Sequence, residues 1–270
     1  MVSPRLVAKI EAEEPALRLA VLIDADNAQA AVIEGLLAEI ARFGEATVKR
    51  IYGDFTAPTS ASWKKVLQKY AIKPVQQFAY TTGKNATDST LIIDAMDLLY
   101  TRKFDGFCLI TSDSDFTGLA MRIREEGITV LGFGEKKTPE AFRNACHKFL
   151  FTEVLRPKST NQSTTQPHKS ENDQASLPQS HNSVEPLEIK QKFPAKFLMS
   201  ALEQSSDEEG WAHLGTFGSY LTKLQPDFDP RIYGYKKLSD LVKAKTELFV
   251  IEERTTPGST TQKVLYLRAK

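Results

Sequence analysis

The feature that most restricts how this chain can fold is a repeated alternation, through its first half, of short apolar runs with stretches of helical spacing. Leu17 to Ile23 is the first such run, and Ala28 to Phe43 follows with Val32, Ile33, Leu36, Leu37 and Ile40 on one helical face. The theme then recurs as a strand over Thr47–Tyr52, a helix from about Ser60 to Tyr70, a strand around Val75–Tyr80 and a helix over Ala86–Tyr100. Next come a strand over Gly106–Thr111, a helix over Phe116–Glu126, a strand over Ile128–Phe133 and a helix over Pro139–Phe151, where Pro139 suits a first turn. Successive strand-helix units predict an α/β fold with a doubly wound parallel sheet, because parallel neighbours need helical crossovers and these cover both faces.

Composition marks where that pattern stops. From Arg156 to Pro186 the chain is Ser, Thr, Gln, Asn, Pro and His with scarcely a large apolar residue, so burial there cannot offset the entropy of ordering. It reads as a flexible linker, and His168 and His181 within it as solvated. Apolar periodicity resumes around Phe193–Leu202, Trp211–Leu224 and Tyr235–Ala244, and two β-like runs, Leu248–Glu252 and Lys263–Leu267, flank a Pro257-Gly258 turn signal. Three helices and a hairpin outline a small winged-helix-like α+β domain. The expected organisation is a domain over 1–155, a linker over 156–186 and a second domain over 187–270.

Charge does not decide the partner: 35 lysines and arginines nearly balance 34 aspartates and glutamates, so local patches carry that question. Cys108 and Cys146 have neither zinc-site nor disulfide spacing and read as reduced core residues. No stretch reaches membrane-spanning length, and Met1–Arg18, interrupted by Glu11, Glu13 and Glu14, lacks an apolar signal core. The expected location is the cytoplasm.

The acids stand where a parallel sheet places its chemistry, beyond the C-terminal ends of strands at the point where the winding reverses. The first strand ends in Asp24-Ala25-Asp26-Asn27 and the fourth in Thr111-Ser112-Asp113-Ser114-Asp115. A strand order of 3-2-1-4-5 makes those two strands neighbours, so Asp24 faces Asp113 and Asp115 across a crevice. Like charges at 4 Å repel by about 4 kcal/mol at an effective dielectric of about 20. Either a shared proton or a divalent cation relieves this, and oxygen ligands without histidine or cysteine nearby favour Mg²⁺ or Mn²⁺. Asp88, at the start of the third helix, belongs to the same edge, although Asn85-x-x-Asp88 also fits helix capping. Capping is equally an alternative for Asp115, and for Asp26 or Asn27 before the first helix. Asp94 and Asp97, further along the third helix, read as its solvated face.

Three of these segments, Ile23-Asp24-x-x-Asn27, Gly83-Lys84-Asn85-Ala86-Thr87-Asp88 and Thr111-Ser112-Asp113-Ser114-Asp115-Phe116, together with Leu131-Gly132-Phe133-Gly134-Glu135-Lys136-Lys137-Thr138-Pro139-Glu140, resemble the signature of bacterial NYN-domain proteins. The resemblance covers about Leu17 to Leu155. NYN domains are similar to PIN nucleases, and the likeness implies that Asp24, Asp88, Asp113 and Asp115 hold Mg²⁺ or Mn²⁺ for RNA phosphodiester hydrolysis, with Asn27 assisting. In the second domain, Trp211-Ala212-His213-Leu214-Gly215, Tyr220-Leu221, the run Phe228 to Leu238 and Phe249-Val250-Ile251 resemble the LOTUS domain, also called OST-HTH. That resemblance implies RNA as partner, or in some members a protein, a second copy included.

Basic residues supply candidate RNA contacts. Arg231, Lys236, Lys237, Lys243 and Lys245 cluster with Tyr233 and Tyr235, offering phosphate contacts and stacking, against the alternative of a solvated basic face. Lys84, Lys136 and Lys137 lie on loops at the sheet edge that carries the acids, as sequence-independent phosphate contacts or ordinary surface lysines. His213 reads as packed beside Trp211. Two other functions compete with the ribonuclease: a non-catalytic RNA-binding regulator with a vestigial acid site, and a phosphatase of the haloacid-dehalogenase type using Asp24 and Asp26. The latter requires a flap hairpin after the first strand, where this sequence turns helical directly after Asn27.

Overall fold

The computed structural model describes residues 16–56, 61–78, 86–156, 193–255 and 263–270. They form two compact units, the first running to Arg156 and including Leu221–Phe228, the second holding the other described residues from Phe193 onward. The polar tract with His168 and His181, Lys84, and the Pro257-Gly258 pair lie outside the described residues.

The first unit is built from β1 (Arg18–Asp24), α1 (Ile33–Ile40), β2 (Glu45–Gly53), α2 (Ala61–Tyr70), β3 (Lys73–Gln76), α3 (Ala86–Tyr100), β4 (Gly106–Ile110), α4 (Thr117–Glu125), β5 (Thr129–Gly134), α5 (Glu140–Ala145) and β6 (Lys148–Phe151). The six strands form one sheet in the order β3-β2-β1-β4-β5-β6, with every neighbouring pair parallel. The predicted 3-2-1-4-5 order is therefore present with a sixth strand added at one edge. Burial explains the choice of centre: Leu19 to Ile23 in β1 and Phe107 to Ile110 in β4 are all buried, on both faces, as only a helix-covered parallel sheet allows. Ile23 pairs with Ile110, which brings the ends of β1 and β4 side by side where the winding reverses.

The sequence expectation of a helix through Phe151 is corrected here. α5 ends at Ala145, Cys146 is extended, and Lys148–Phe151 pairs with Leu131–Gly134 of β5. Phe142, Cys146, Phe149 and Leu150 fall at spacings that suit a helix as well as a broken helix-strand pair, and pairing with the open edge of β5 decided between them. β3 also begins and ends earlier than expected. Cys108 and Cys146 are free and buried, and burial pushes both thiols up, Cys146 to about 12, which keeps them unreactive.

The second unit carries α6 (Ala195–Ser205), β7 (Ala212–His213), the part of α7 (Leu214–Leu224) up to Tyr220, α8 (Leu238–Ala244), β8 (Phe249–Thr255) and β9 (Lys263–Ala269). Its strands form an antiparallel sheet in the order β7-β9-β8. The helix expected from Trp211 starts only at Leu214, because Ala212 and His213 pair with Leu267 and Tyr266 instead. The helix expected from Tyr235 starts at Leu238, after a short turn over Pro230–Tyr233 closed by Gly234 at φ 86°. Among the described residues no helix is long and apolar enough to cross a membrane.

Close packing at the end of β5 supports the acid-bearing edge. A Cβ on Gly134 would lie 2.5 Å from the Thr111 carbonyl oxygen and 2.6 Å from Thr138 Oγ1. Since a backbone atom cannot yield cheaply, Gly134→Ala is expected to cost about 1–3 kcal/mol of unfolding free energy. Urea denaturation of the two proteins measures it, and an unchanged midpoint would refute the packing argument.

Candidate active site

Asp24 closes β1 and its side chain is wholly buried, 0% exposed. A carboxylate there survives only with donors around it. Its Oδ1 accepts the Asp26 backbone N–H at 3.0 Å, and its Oδ2 accepts Asn27 Nδ2 at 2.8 Å and Thr111 Oγ1 at 2.8 Å. Burial nevertheless outweighs these three bonds and raises its pKa above the ordinary aspartate range. Thr111 does two things at once, since its Oγ1 also accepts the Asp113 N–H at 3.1 Å. The ends of β1 and β4 are thereby tied together through one hydroxyl.

Asp113 begins the next turn. Its Oδ1 accepts the Asp115 N–H at 2.9 Å and so caps the single helical turn Ser114–Phe116, which buried Phe116 anchors in the core. The capping alternative for Asp115 is thus filled by Asp113. Nor do Asp26 or Asn27 cap the first helical turn: Gln29 stands there without a side-chain cap, and the Asn27 amide is spent on Asp24. Asp88 lies in the first turn of α3, and one carboxylate oxygen from each of Asp88, Asp113 and Asp115 falls within 4.8 Å of the others. Asp24 is outside that trio, yet its charge bears on it. The Asp88 pKa is pushed up to about 6, first by burial and then by the charges of Asp24, Asp113 and Asp115. Three carboxylates with no histidine or cysteine among them suit a hard divalent ion such as Mg²⁺ or Mn²⁺.

Asp94 corrects the sequence reading, which set it on a solvated face. One of its oxygens takes Arg50 Nη1 and the other the Tyr52 hydroxyl, so it clamps α3 onto β2. Tyr52 is itself wholly buried and pairs in register with Asp24. Asp97 is exposed, as expected. Thr111 and this clamp were the residues that sequence reasoning missed; the only signal for Thr111 was a hydroxyl two residues before an acid at a strand end.

The basic candidates are more dispersed. Lys136 is exposed, while Lys137 Nζ lies 3.0 Å from Glu135. Arg231 wraps its guanidinium around Asp229, with Nη2 to Oδ2 at 2.6 Å, and Tyr233 packs edge-on against Phe193 at 5.8 Å. Tyr235 is half-buried, Lys236 and Lys237 are exposed, and Lys243 and Lys245 pair with Glu253 and Glu247. His213 packs on Tyr266, ring centroids 5.6 Å apart, in place of the expected Trp211. Downstream of Asp24 the chain enters a helical turn at Ala30, without the hairpin that a phosphatase of the haloacid-dehalogenase type requires.

Comparison with known proteins adds the following. The family profile of the NYN domain matches residues 18–154, and that of the OST-HTH/LOTUS domain matches residues 185–260. No curated protein matches the chain. A solution structure of an uncharacterized protein from Nitrosomonas europaea is 65% identical, covering 37% of this chain and 92% of that one, with a TM-score of 0.29. A crystal structure of a protein of unknown function from Vibrio parahaemolyticus is 16% identical over 52% of this chain and 94% of that one, TM-score 0.44. A solution structure of residues 175–257 of a Chromobacterium violaceum protein is 32% identical over 29% of this chain and 82% of that one, TM-score 0.23.

The crowding around Asp88 makes stability depend on pH. Its folded pKa lies above the ordinary 3.8, so the protonated form favours the fold. The associated stability is complete below about 3.8 and is lost as pH rises through about 6. In EDTA, lowering the pH from neutral to about 5 should raise the melting temperature more for the wild type than for Asp88→Asn, and Mn²⁺ at neutral pH should stabilise the wild type selectively. Identical pH slopes in the two proteins would remove the charge-crowding account.

Proposed function

The chain belongs to the NYN-domain family, and from that premise we propose that it is a divalent-metal-dependent endoribonuclease whose C-terminal domain brings RNA to the acid cluster. The observation that carries this reading is the convergence of Asp88, Asp113 and Asp115, with the charge of buried Asp24 behind them. Asp88, Asp113 and Asp115 would hold Mg²⁺ or Mn²⁺, with Asp24 completing the set of acids. When bound, such an ion lowers the pKa of water and offsets charge developing on the phosphoryl oxygens.

The remaining work falls to the protein. Thr111 and Asn27 orient Asp24 and partly offset the cost of burying its charge, and Asp113, capping its own turn, fixes Asp115 beside it. Lys136, Lys137 and Lys84 serve as phosphate contacts that track the backbone without reading sequence. Of the second domain's sequence-derived candidates, Lys236 and Lys237 are exposed and Tyr235 half-buried, open to supplementary contacts, while Arg231 and Tyr233 are held by neighbours. A domain over 1–155 joined through a polar linker over 156–186 to an RNA-binding domain over 187–270 raises the local RNA concentration at the acids. We place the protein in the cytoplasm, in keeping with two cysteines that form no disulfide.

The test is cleavage of end-labelled single-stranded and structured RNAs in Mn²⁺, Mg²⁺ or EDTA. Cleavage by the wild type with either ion, none in EDTA, and loss of more than about 100-fold in Asp113→Asn are expected. Thr111→Val, which frees Asp24 and the Asp113 N–H together, should lose about 10–100-fold, the usual cost of removing a group that orients a ligand. Binding without cleavage under every condition would instead mark an RNA-binding regulator.

A further inference from the structure

The residues that sequence reasoning offered for RNA contact in the second domain are largely occupied: Arg231 by Asp229, Tyr233 by Phe193, and Lys243 and Lys245 by glutamates. The small sheet of the same unit carries a different arrangement. Ala212, Leu267 and Phe249 are buried, so strand alternation sends their neighbours to the opposite face. There Trp211 receives two guanidinium groups, Arg254 at 4.7 Å and Arg268 at 5.0 Å from its ring centroid. Arg254 also lies 4.5 Å from the centre of Tyr266, and His213 packs edge-on against Tyr266. His213 and Arg268 are exposed, and Trp211, Arg254 and Tyr266 are half-buried.

Charge on this face is incompletely answered. Glu252 bonds to Arg254 at 3.1 Å and Asp207, which accepts the Trp211 N–H at 2.8 Å, lies close enough to act on Arg254, but Arg268 has no ion pair among the described residues. Two like-charged groups crowd one indole and only one of them is paired, an arrangement that an anion relieves. Contact with the rings also restrains the guanidinium groups, so less side-chain freedom remains to be lost on binding. Aromatic rings interleaved with planar cations provide what an unstacked base and its phosphate need together, and duplexes, whose bases are already stacked, cannot use them.

We propose that the outward face of the β7-β9-β8 sheet, centred on Trp211, Tyr266, Arg254 and Arg268, is a binding surface for single-stranded RNA. Bases stack on the aromatic and guanidinium planes, and the guanidinium edges donate to phosphate oxygens. The proposal rests on the reading above that the C-terminal domain binds RNA, and names the surface that does so.

The experiment measures, on the full chain in EDTA so that cleavage is suppressed, the fluorescence anisotropy of a labelled unstructured RNA of about a dozen nucleotides, within the usual span of such sites. Trp211→Ala and the double variant Arg254→Ala/Arg268→Ala should each weaken binding at least about tenfold, and Trp211→Phe, which keeps a stacking plane, should restore most of it. The double variant should also flatten the dependence of log affinity on log salt by about 0.7 for each phosphate that is no longer neutralised. Circular dichroism and melting of each variant separate impaired binding from impaired folding, and the Phe rescue keeps the test decisive if the Ala variant unfolds. Should these variants bind like the wild type while Lys236→Ala/Lys237→Ala does not, the sheet face is overturned and RNA binding by the domain stands; the face is then free for a protein partner. Absence of RNA binding by the wild type overturns both.

Discussion

Negative charge held together at the seam between β1 and β4 is the constraint on which the rest of this protein turns. The apolar cores of those two strands have no alternative to lying side by side at the centre of a two-faced sheet, and their adjacency places Asp24 next to the segment that begins at Thr111. From that point electrostatics opposes packing: burial disfavours the ionised form of Asp24, and burial together with neighbouring carboxylates disfavours that of Asp88. A chain that keeps such an arrangement holds unfavourable charge, which a divalent cation, in the function proposed above, would relieve on binding.

The supporting structure keeps that charge from dispersing. Thr111 bridges the two strand ends with one hydroxyl, donating to Asp24 and accepting from the Asp113 N–H. On the other side Asp94, taken up by Arg50 and Tyr52, fastens α3 to β2, and α3 carries Asp88 at its first turn. A half-buried pair of this kind contributes little net stability, because desolvation cancels much of the attraction. Its value lies in registry: it fixes which turn of the helix faces the strand ends. Gly134 adds the steric part of the same task, since β5 approaches Thr111 too closely for any side chain.

The second unit uses its charges differently. Most lysines and arginines in the segment richest in basic residues are neutralised by nearby acids, whereas the sheet face gathers Arg254 and Arg268 around one indole, with Glu252 paired to the first of them. Counting cations along the sequence could not distinguish the two, because salt bridges to Asp229, Glu247 and Glu253 depend on turns and strand pairs closing first.

Local pattern was sufficient wherever one periodicity was compatible with the chain. The buried runs of β1 and β4, the long helix from Ala86 to Tyr100, the 3-2-1-4-5 strand order and the position of Asp24, Asp88, Asp113 and Asp115 at one edge were all legible, since two-sided burial and the winding rule leave few arrangements. Where two periodicities were compatible, as from Phe142 to Phe151 and again at Trp211–His213, an open strand edge elsewhere in the fold chose the outcome. Which acids approach within reach of one ion, that Asp94 is a clamp, that Thr111 joins two strands and that Arg254 and Arg268 share Trp211 were decided by tertiary structure alone. Sequence spacing determines the face or strand end from which a side chain departs; distances of a few ångströms between residues far apart in the chain exist only after the sheet has closed.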